Sequence, residues 1–309
     1  MAGPPAFHDE SVYDCIVLGS GPAGRSAAST LTRQCYRVAL FDPGSYRDDR
    51  QAYGNHASKT TECPLSPSST LHIINTTIVH IAQSAESHFK AVSGDGRTWH
   101  GKKLVLATGV RYLFPDIPGY QECWDAGFIY ADPFWYEGRE GSQRAQVTGL
   151  LAIGSTTPVS RYIELARIVR NTVSHVTIYT DGNDNISSQL VETEEMTHVT
   201  VDARPITGLE AGPNSISSSN FFLFFQIHEP RTKINGPYTY QLGLDLTDSG
   251  DIRISGPLYT TTVPSVFAVG DCACAAKDVL QAMATGALAA KGVSAELAGE
   301  CSNVCKRDT

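Results

Sequence analysis

The chain has 309 residues, of which 41% are apolar and 18% charged, enough for two packed cores and far from the composition of disordered proteins. Its formal charge of -8 gives no electrostatic footprint for nucleic acid or an anionic membrane, both of which need clustered Lys and Arg. The opening MAGPPAFHDESVYD has no basic stretch before an apolar core, no run of about 18 apolar residues follows, and the eight cysteines form neither a C-x-x-C pair nor a zinc-like quartet, so a cytoplasmic protein without membrane span, disulfide scaffold or metal site is expected.

Residues 13–42 read as strand, glycine turn, helix and strand: YDCIVLG, SGPAG, AGRSAASTLTRQ, YRVALFD. The spacing Gly19-x-Gly21-x-x-Gly24 puts glycine at a tight turn, where backbone approaches a pyrophosphate, and where helix meets strand. Asp42, 18 residues after Gly24, ends the second strand, where a carboxylate accepts hydrogen bonds from ribose hydroxyls. The pattern predicts a dinucleotide at the helix N-terminus, whose dipole and free N–H groups favour phosphate.

KKLVLATG (102–109) reads as another buried strand, ending in Thr108-Gly109, and FPDIPGY (114–120) as a crossing between domains. A second strand-helix-strand unit follows in VTGLLAIGS, a helix around 159–171, and HVTIYTD. Its turn, Gly154-Ser-Thr-Thr-Pro-Val159, lacks the second and third glycines, and the loop DGNDN has no arginine for a 2′-phosphate. NADPH binding is therefore expected to be lost, with the domain kept for packing. Residues 213–228 read as a Ser-rich loop entering a buried strand, without assigned chemistry. QLGLDLTDSGDIRI is expected to form two strands around the turn DSGD, and TTTVPSVFAVGDCACAAKDVLQAMATGALAA a strand, a Gly-Asp turn and a long helix.

GSGPAG with Asp42, then LATG, then VFAVGD before a helix beginning near Gln281-Ala282, in this order over almost the whole chain, resemble the thioredoxin-reductase-like FAD flavoproteins. Within them the chain is most similar to the fungal small-molecule dithiol oxidases of the gliotoxin and holomycin type, through DPGSYRDDRQAYGNHA, QLGLDLTDSGDIRI and GDCACAAKDVLQA. The resemblance implies an α/β fold of two Rossmann-like, three-layer ββα domains and a homodimer. Residues 1–117 and 240–309 would form a discontinuous FAD-binding domain, and 118–239 a degenerate NADPH-type domain. Gly19, Gly21, Pro22 and Ala23 would hold the FAD pyrophosphate and Asp42 the adenosine ribose. Arg47 and His56 would lie in the loop beside the cofactor, and Ile78 would meet adenine through its backbone. Thr108 and Gly109 would pass beneath the pyrophosphate, Asp271 would bond the ribityl chain, and Gln281 and Ala282 would face the pyrimidine edge of the flavin. That last placement also has a physical basis: a helix beginning near Asp278 offers unpaired N–H groups and partial positive charge to the anion of reduced flavin. The competing reading makes Gln281 and Ala282 ordinary helix residues.

Where the family carries Cys-Pro-Phe-Cys, this chain reads Asp132-Pro133-Phe134-Trp135-Tyr136. With no internal dithiol and no NADPH site, reduction of a protein partner loses both its electron source and its relay. A small dithiol or disulfide substrate that brings its own sulfur would fill the role. Asp132 then serves as general base, and Trp135 or Tyr136 stacks on or bonds the substrate or flavin; the alternative is a relict loop. Cys272 and Cys274, beside Asp271, read either as core residues or as replacement thiols. The leading expectation is an FAD oxidoreductase of fungal secondary metabolism that forms or rearranges, by C–S bond migration, a sulfur bridge in a metabolite such as an epidithiodiketopiperazine. A flavin oxidase or dehydrogenase acting on a non-sulfur bond, and a non-catalytic flavin-binding relative, stand as alternatives.

Overall fold

The computed structural model describes residues 12–44, 70–84, 88–131, 147–153, 157–171, 173–192, 198–213, 215–218, 221–223 and 225–305. They fall into two compact units that divide after Arg111 and again after Arg231.

The first unit opens with β1 (Tyr13–Leu18), α1 (Pro22–Thr32) and β2 (Val38–Asp42). β1 is a nearly continuous apolar run, as a strand covered on both faces requires. Pro22 starts α1, where its fixed φ and missing N–H cost nothing. β3 (Leu71–Asn75), β4 (Ile78–Gln83), β5 (Phe89–Ser93) and β6 (Thr98–Leu106) follow. Among the described residues the sheet runs β3-β2-β1-β6-β5-β4. Its parallel part brings Leu18, Phe41 and Leu106 level at the carboxyl edge, where ligands bind in such sheets. The predicted strand at 102–109 is thus longer and starts earlier, because residues 98–101 pair antiparallel with β5.

β7 (Val110–Leu113) leads into the second unit. That unit contains α2 (Tyr120–Asp125), β8 (Ile129–Tyr130), β9 (Val147–Leu151), α3 (Val159–Val169) and β10 (His175–Tyr179), then α4 (Asp184–Val191), β11 (Val199–Asp202) and β12 (Glu210–Ala211). α4 falls on part of the loop read as DGNDN: Asn183 caps it, its side chain accepting from the Ile186 N–H at 3.1 Å. Residues 213–228 do not form one buried strand. They divide into β13 (Ile216–Ser218) and β14 (Phe221–Leu223), which with β12 make an antiparallel sheet, and β15 (Gln226–Ile227), which joins β11-β10-β9-β15-β8. Both faces of the segment are apolar, so sequence alternation could not locate the break.

β16 (Arg231–Ile234) pairs with β7 as the chain returns to the first unit. α5 (Tyr238–Gln241) replaces the start of the first strand expected in QLGLDLTDSGDIRI. The rest is a turn closed by one antiparallel bridge, Leu246 to Ile252. Local side-chain bonds win there: Thr247 Oγ1 lies 2.9 Å from Ser249 Oγ and accepts the Asp251 N–H at 3.1 Å. β17 (Val266–Ala268) pairs with β6, and α6 (Val279–Cys305) closes the chain.

α1 and α6 pack through small residues. Ser26 Oγ donates to the Met283 carbonyl at 2.7 Å, and a Cβ on Gly286 would stand 2.1 Å from the Ala23 carbonyl oxygen. Ala23, Ala27, Ala28 and Leu31 meet Ala282, Ala289, Ala290 and Val293 in one buried cluster with β1 and β17. Among the described residues no helix is long and apolar enough to cross a membrane.

Candidate functional site

At the end of β1, Gly19 has φ +105°, and a Cβ there would lie 2.2 Å from the Ala107 carbonyl oxygen and 3.3 Å from the Thr108 Cα. A Cβ on Gly24 would lie 1.8 Å from the Gly19 carbonyl oxygen. Two of the three motif glycines are thus required by contact alone. The third, Gly21, has nothing within 4 Å of the Cβ it lacks, so it borders open space. It is the N-cap of α1, makes no side-chain cap bond, and the first turn carries no acidic residue. The Gly21 carbonyl accepts the Arg25 N–H at 3.0 Å, the first bond of the helix, leaving the Ala23 and Gly24 N–H groups without intrahelical acceptors. Open space at an uncapped helix start fits a phosphate.

Asp42 ends β2 level with Asn75 of β3 and accepts the Gly44 N–H at 2.8 Å, so its carboxylate is braced at the carboxyl edge. Thr108 and Gly109 follow β6. Asn235 holds both: its side-chain amide donates to the Thr108 carbonyl at 3.0 Å and its N–H to the Gly109 carbonyl at 3.2 Å. The Thr108 hydroxyl is buried beside the Cys272 thiol without a hydrogen-bond partner of good geometry. An orphan hydroxyl next to the glycine cradle fits a missing polar group of a ligand. Sequence reasoning missed Asn235, because only the fold carries it across more than a hundred residues to this turn.

The Gly-Asp turn is a 3₁₀ turn, Gly270–Cys272. Gly270 has φ +66°, and a Cβ there would stand 2.8 Å from the Ala23 Cβ and 3.6 Å from the Ala282 Cβ. Its N–H donates to Thr285 Oγ1 at 3.0 Å. The structure therefore brings the glycine turn, Thr108, Asp271 and Ala282 together around the start of α1. The N–H groups expected to be unpaired on α6 are corrected at two positions. Asp278 Oδ1 accepts from the Gln281 N–H at 2.8 Å, and the Asp278 carbonyl from the Ala282 N–H at 3.0 Å. Asp278 is an N-cap, so the donors without intrahelical acceptors belong to Val279 and Leu280.

Ile78 is buried on β4, separated from β2 by β1, β6 and β5 in the strand order, and its carbonyl accepts the Tyr238 hydroxyl. Arg47, His56, Asp132, Trp135 and Tyr136 lie outside the described residues. Cys272 is fully buried, its thiol within 3.2 Å of the Val269 carbonyl, and burial pushes it up to about 11. Burial also raises Cys274. Neither is a thiolate near neutrality, which favours their reading as core residues.

In the second unit, Arg161 of the first turn of α3 is bound by Glu229, with its Nε 3.0 Å from Oε2, and by Glu164 at 2.8 Å. Arg204, after β11, is bound to Asp202 with its Nε 2.9 Å from Oδ1. Asp181, which follows β10, accepts the Ile206 N–H at 2.7 Å. Both guanidinium groups are committed to carboxylates, the opposite of a free phosphate grip.

Comparison with known proteins agrees with the first unit's geometry. The family model described as pyridine nucleotide-disulphide oxidoreductase matches residues 13–178. Thioredoxin reductase sirT of Leptosphaeria maculans is 30% identical, covering 94% of this chain and 95% of its own. Thioredoxin reductase aclD of Aspergillus oryzae is 31% identical, covering 93% and 97%. Among solved structures, that of HlmI superposes with a TM-score of 0.78 at 22% identity, covering 98% of each chain, a likeness of fold. The match spans both units and contains the cradle built by Gly19, Gly24 and Thr108. The chain belongs to the pyridine nucleotide-disulphide oxidoreductase family and is, within it, a thioredoxin-reductase-like flavin oxidoreductase.

Proposed function

We propose that the chain binds FAD in its first unit and uses it to form or rearrange a sulfur bridge in a small dithiol or disulfide metabolite, such as an epidithiodiketopiperazine. One observation carries the reading: a tight glycine turn with open space at an uncapped helix start occurs in a chain that has no C-x-x-C pair anywhere. A bound flavin supplies reversible uptake of two electrons. Substrate sulfur takes the place of the internal dithiol, so substrate must reach the cofactor directly.

The α1 N-terminus, with Gly19, Gly21, Pro22 and Ala23, holds the pyrophosphate, and Asp42 the ribose. Thr108 and Gly109 line the cofactor with their hydroxyl and backbone. Asp271 bonds the ribityl chain, and the start of α6 around Gln281 and Ala282 faces the flavin. Asp132 acts as general base on the substrate thiol, with Trp135 and Tyr136 shaping its seat. The second unit serves as a domain that has given up NADPH, which the committed guanidinium groups of Arg161 and Arg204 support.

Purified protein should be yellow, or become so with FAD, and should bleach anaerobically with a small dithiol but not with NADPH. Asp132→Asn should slow that bleaching by about a hundredfold or more, the usual weight of a general base. Colourless protein that takes up no FAD overturns the proposal, and bleaching by NADPH alone overturns the account of the second unit.

A further inference from the structure

The loop from Asp271 to Asp278 carries a side chain assigned to the ribityl chain at one end and the N-cap of α6 at the other. Ala275 and Ala276, in its middle, are exposed. What holds it inward is Lys277. The Lys277 ammonium donates to Asp251 Oδ1 at 2.7 Å, to the Asp271 carbonyl at 2.8 Å and to the Cys274 carbonyl at 2.9 Å. An ammonium has three donors, and each finds an acceptor.

The pair is largely withdrawn from water, with 19% of the Lys277 side chain and 9% of the Asp251 side chain exposed. Asp251 is itself fixed: its second oxygen accepts from Ser249 Oγ at 3.1 Å, and its N–H donates to Thr247 Oγ1. The next residue adds a main-chain tie, the Ile252 N–H donating to the Cys272 carbonyl at 2.8 Å. The turn DSGD and the segment GDCACAAKD, far apart in sequence, are therefore one structural device.

We infer that Lys277, clamped to Asp251, is a positioning residue that sets Asp271 and the start of α6 in the register the flavin needs, an inference that rests on the flavin-binding reading above. Without the ammonium, two loop carbonyls lose their donor and the buried Asp251 carboxylate loses its counter-ion, so the loop relaxes outward. An arginine reaches the same acceptors with a wider head. Asp251→Asn keeps an acceptor for Lys277 but removes the charge.

The test measures the FAD dissociation constant, the visible spectrum of bound flavin and the melting temperature of the apoprotein. The proteins compared are the wild type, Lys277→Gln, Lys277→Arg and Asp251→Asn. Lys277→Gln should weaken FAD binding by about tenfold or more and alter the spectrum, as expected for loss of charge-assisted hydrogen bonds. Lys277→Arg should recover part of both, and Asp251→Asn should shift both in the same direction by less. A merely structural lysine would lower the apoprotein melting temperature and leave the spectrum of bound flavin unchanged, which overturns the inference. So does a Lys277→Gln protein that binds within about twofold of wild type. If Lys277→Gln does not fold, Asp251→Asn decides: wild-type affinity and spectrum in that variant overturn the inference. Wild-type protein that takes up no FAD sinks the flavin reading and the inference together, whereas normal wild-type binding with unaffected variants sinks the inference alone.

Discussion

His228 is buried at the end of β15, its Nδ1 2.5 Å from the Tyr120 hydroxyl, and burial holds its pKa down to about 3. The folded protein thus keeps this imidazole neutral while the unfolded chain binds a proton near pH 6.5. Its contribution to stability is complete above pH 6.5 and is lost as pH falls from there toward 3. The slope is at most about 1.4 kcal/mol per pH unit. Urea unfolding at pH 7 and pH 5 should show wild type losing more stability between the two than His228→Gln, and equal losses would refute this account. Nothing local marks the residue, because Tyr120 lies on another element and the pair forms only when the second unit closes. The glycines are the opposite case. Gly19 and Gly24 could be read from spacing because the chemistry of a tight turn and a close helix is local, and the structure adds the atoms a side chain would strike.

Among the elements, β1, α1 and β2 were legible because an apolar run, a glycine turn and a small-residue helix each carry their own signal within a few residues. α6 was legible as a long helix beginning near Asp278, but neither its run to Cys305 nor its capping was. Asp278 looks like one more polar residue until its carboxylate is seen to take the Gln281 N–H. Asp278→Ala should cost about 1 kcal/mol of stability while raising the reduction potential of bound flavin, since a carboxylate leaves the helix end proposed to face it. Thermal melting and a potentiometric titration check the two effects, and an unchanged or lowered potential would show that this end of α6 does not face the flavin. The failures were equally physical. Strand alternation in QLGLDLTDSGDIRI was outweighed by hydroxyl-to-backbone bonds around Thr247 and Asp251, and the apolar stretch after Ile216 serves two sheets.

At the scale of the whole molecule, two units with separate cores should not unfold as one. We expect two transitions in calorimetry. FAD should raise only the one belonging to the first unit, by about 2.7 kcal/mol at a hundred times the dissociation constant. A single transition, or a shift of both, would show the units to be energetically one.

The sequence alone determined the tight glycine turn, the acidic residue that ends β2 and the absence of a C-x-x-C pair, because these are matters of composition and short spacing that need no partner. Only the tertiary structure decided that Asn235 grips Thr108 and Gly109, that Gly270 sits against Ala23 and Ala282, and that Lys277 ties its loop to Asp251. Those contacts join residues distant in the chain, and hydrogen bonds and close packing act over a few ångströms of space whatever the separation in sequence.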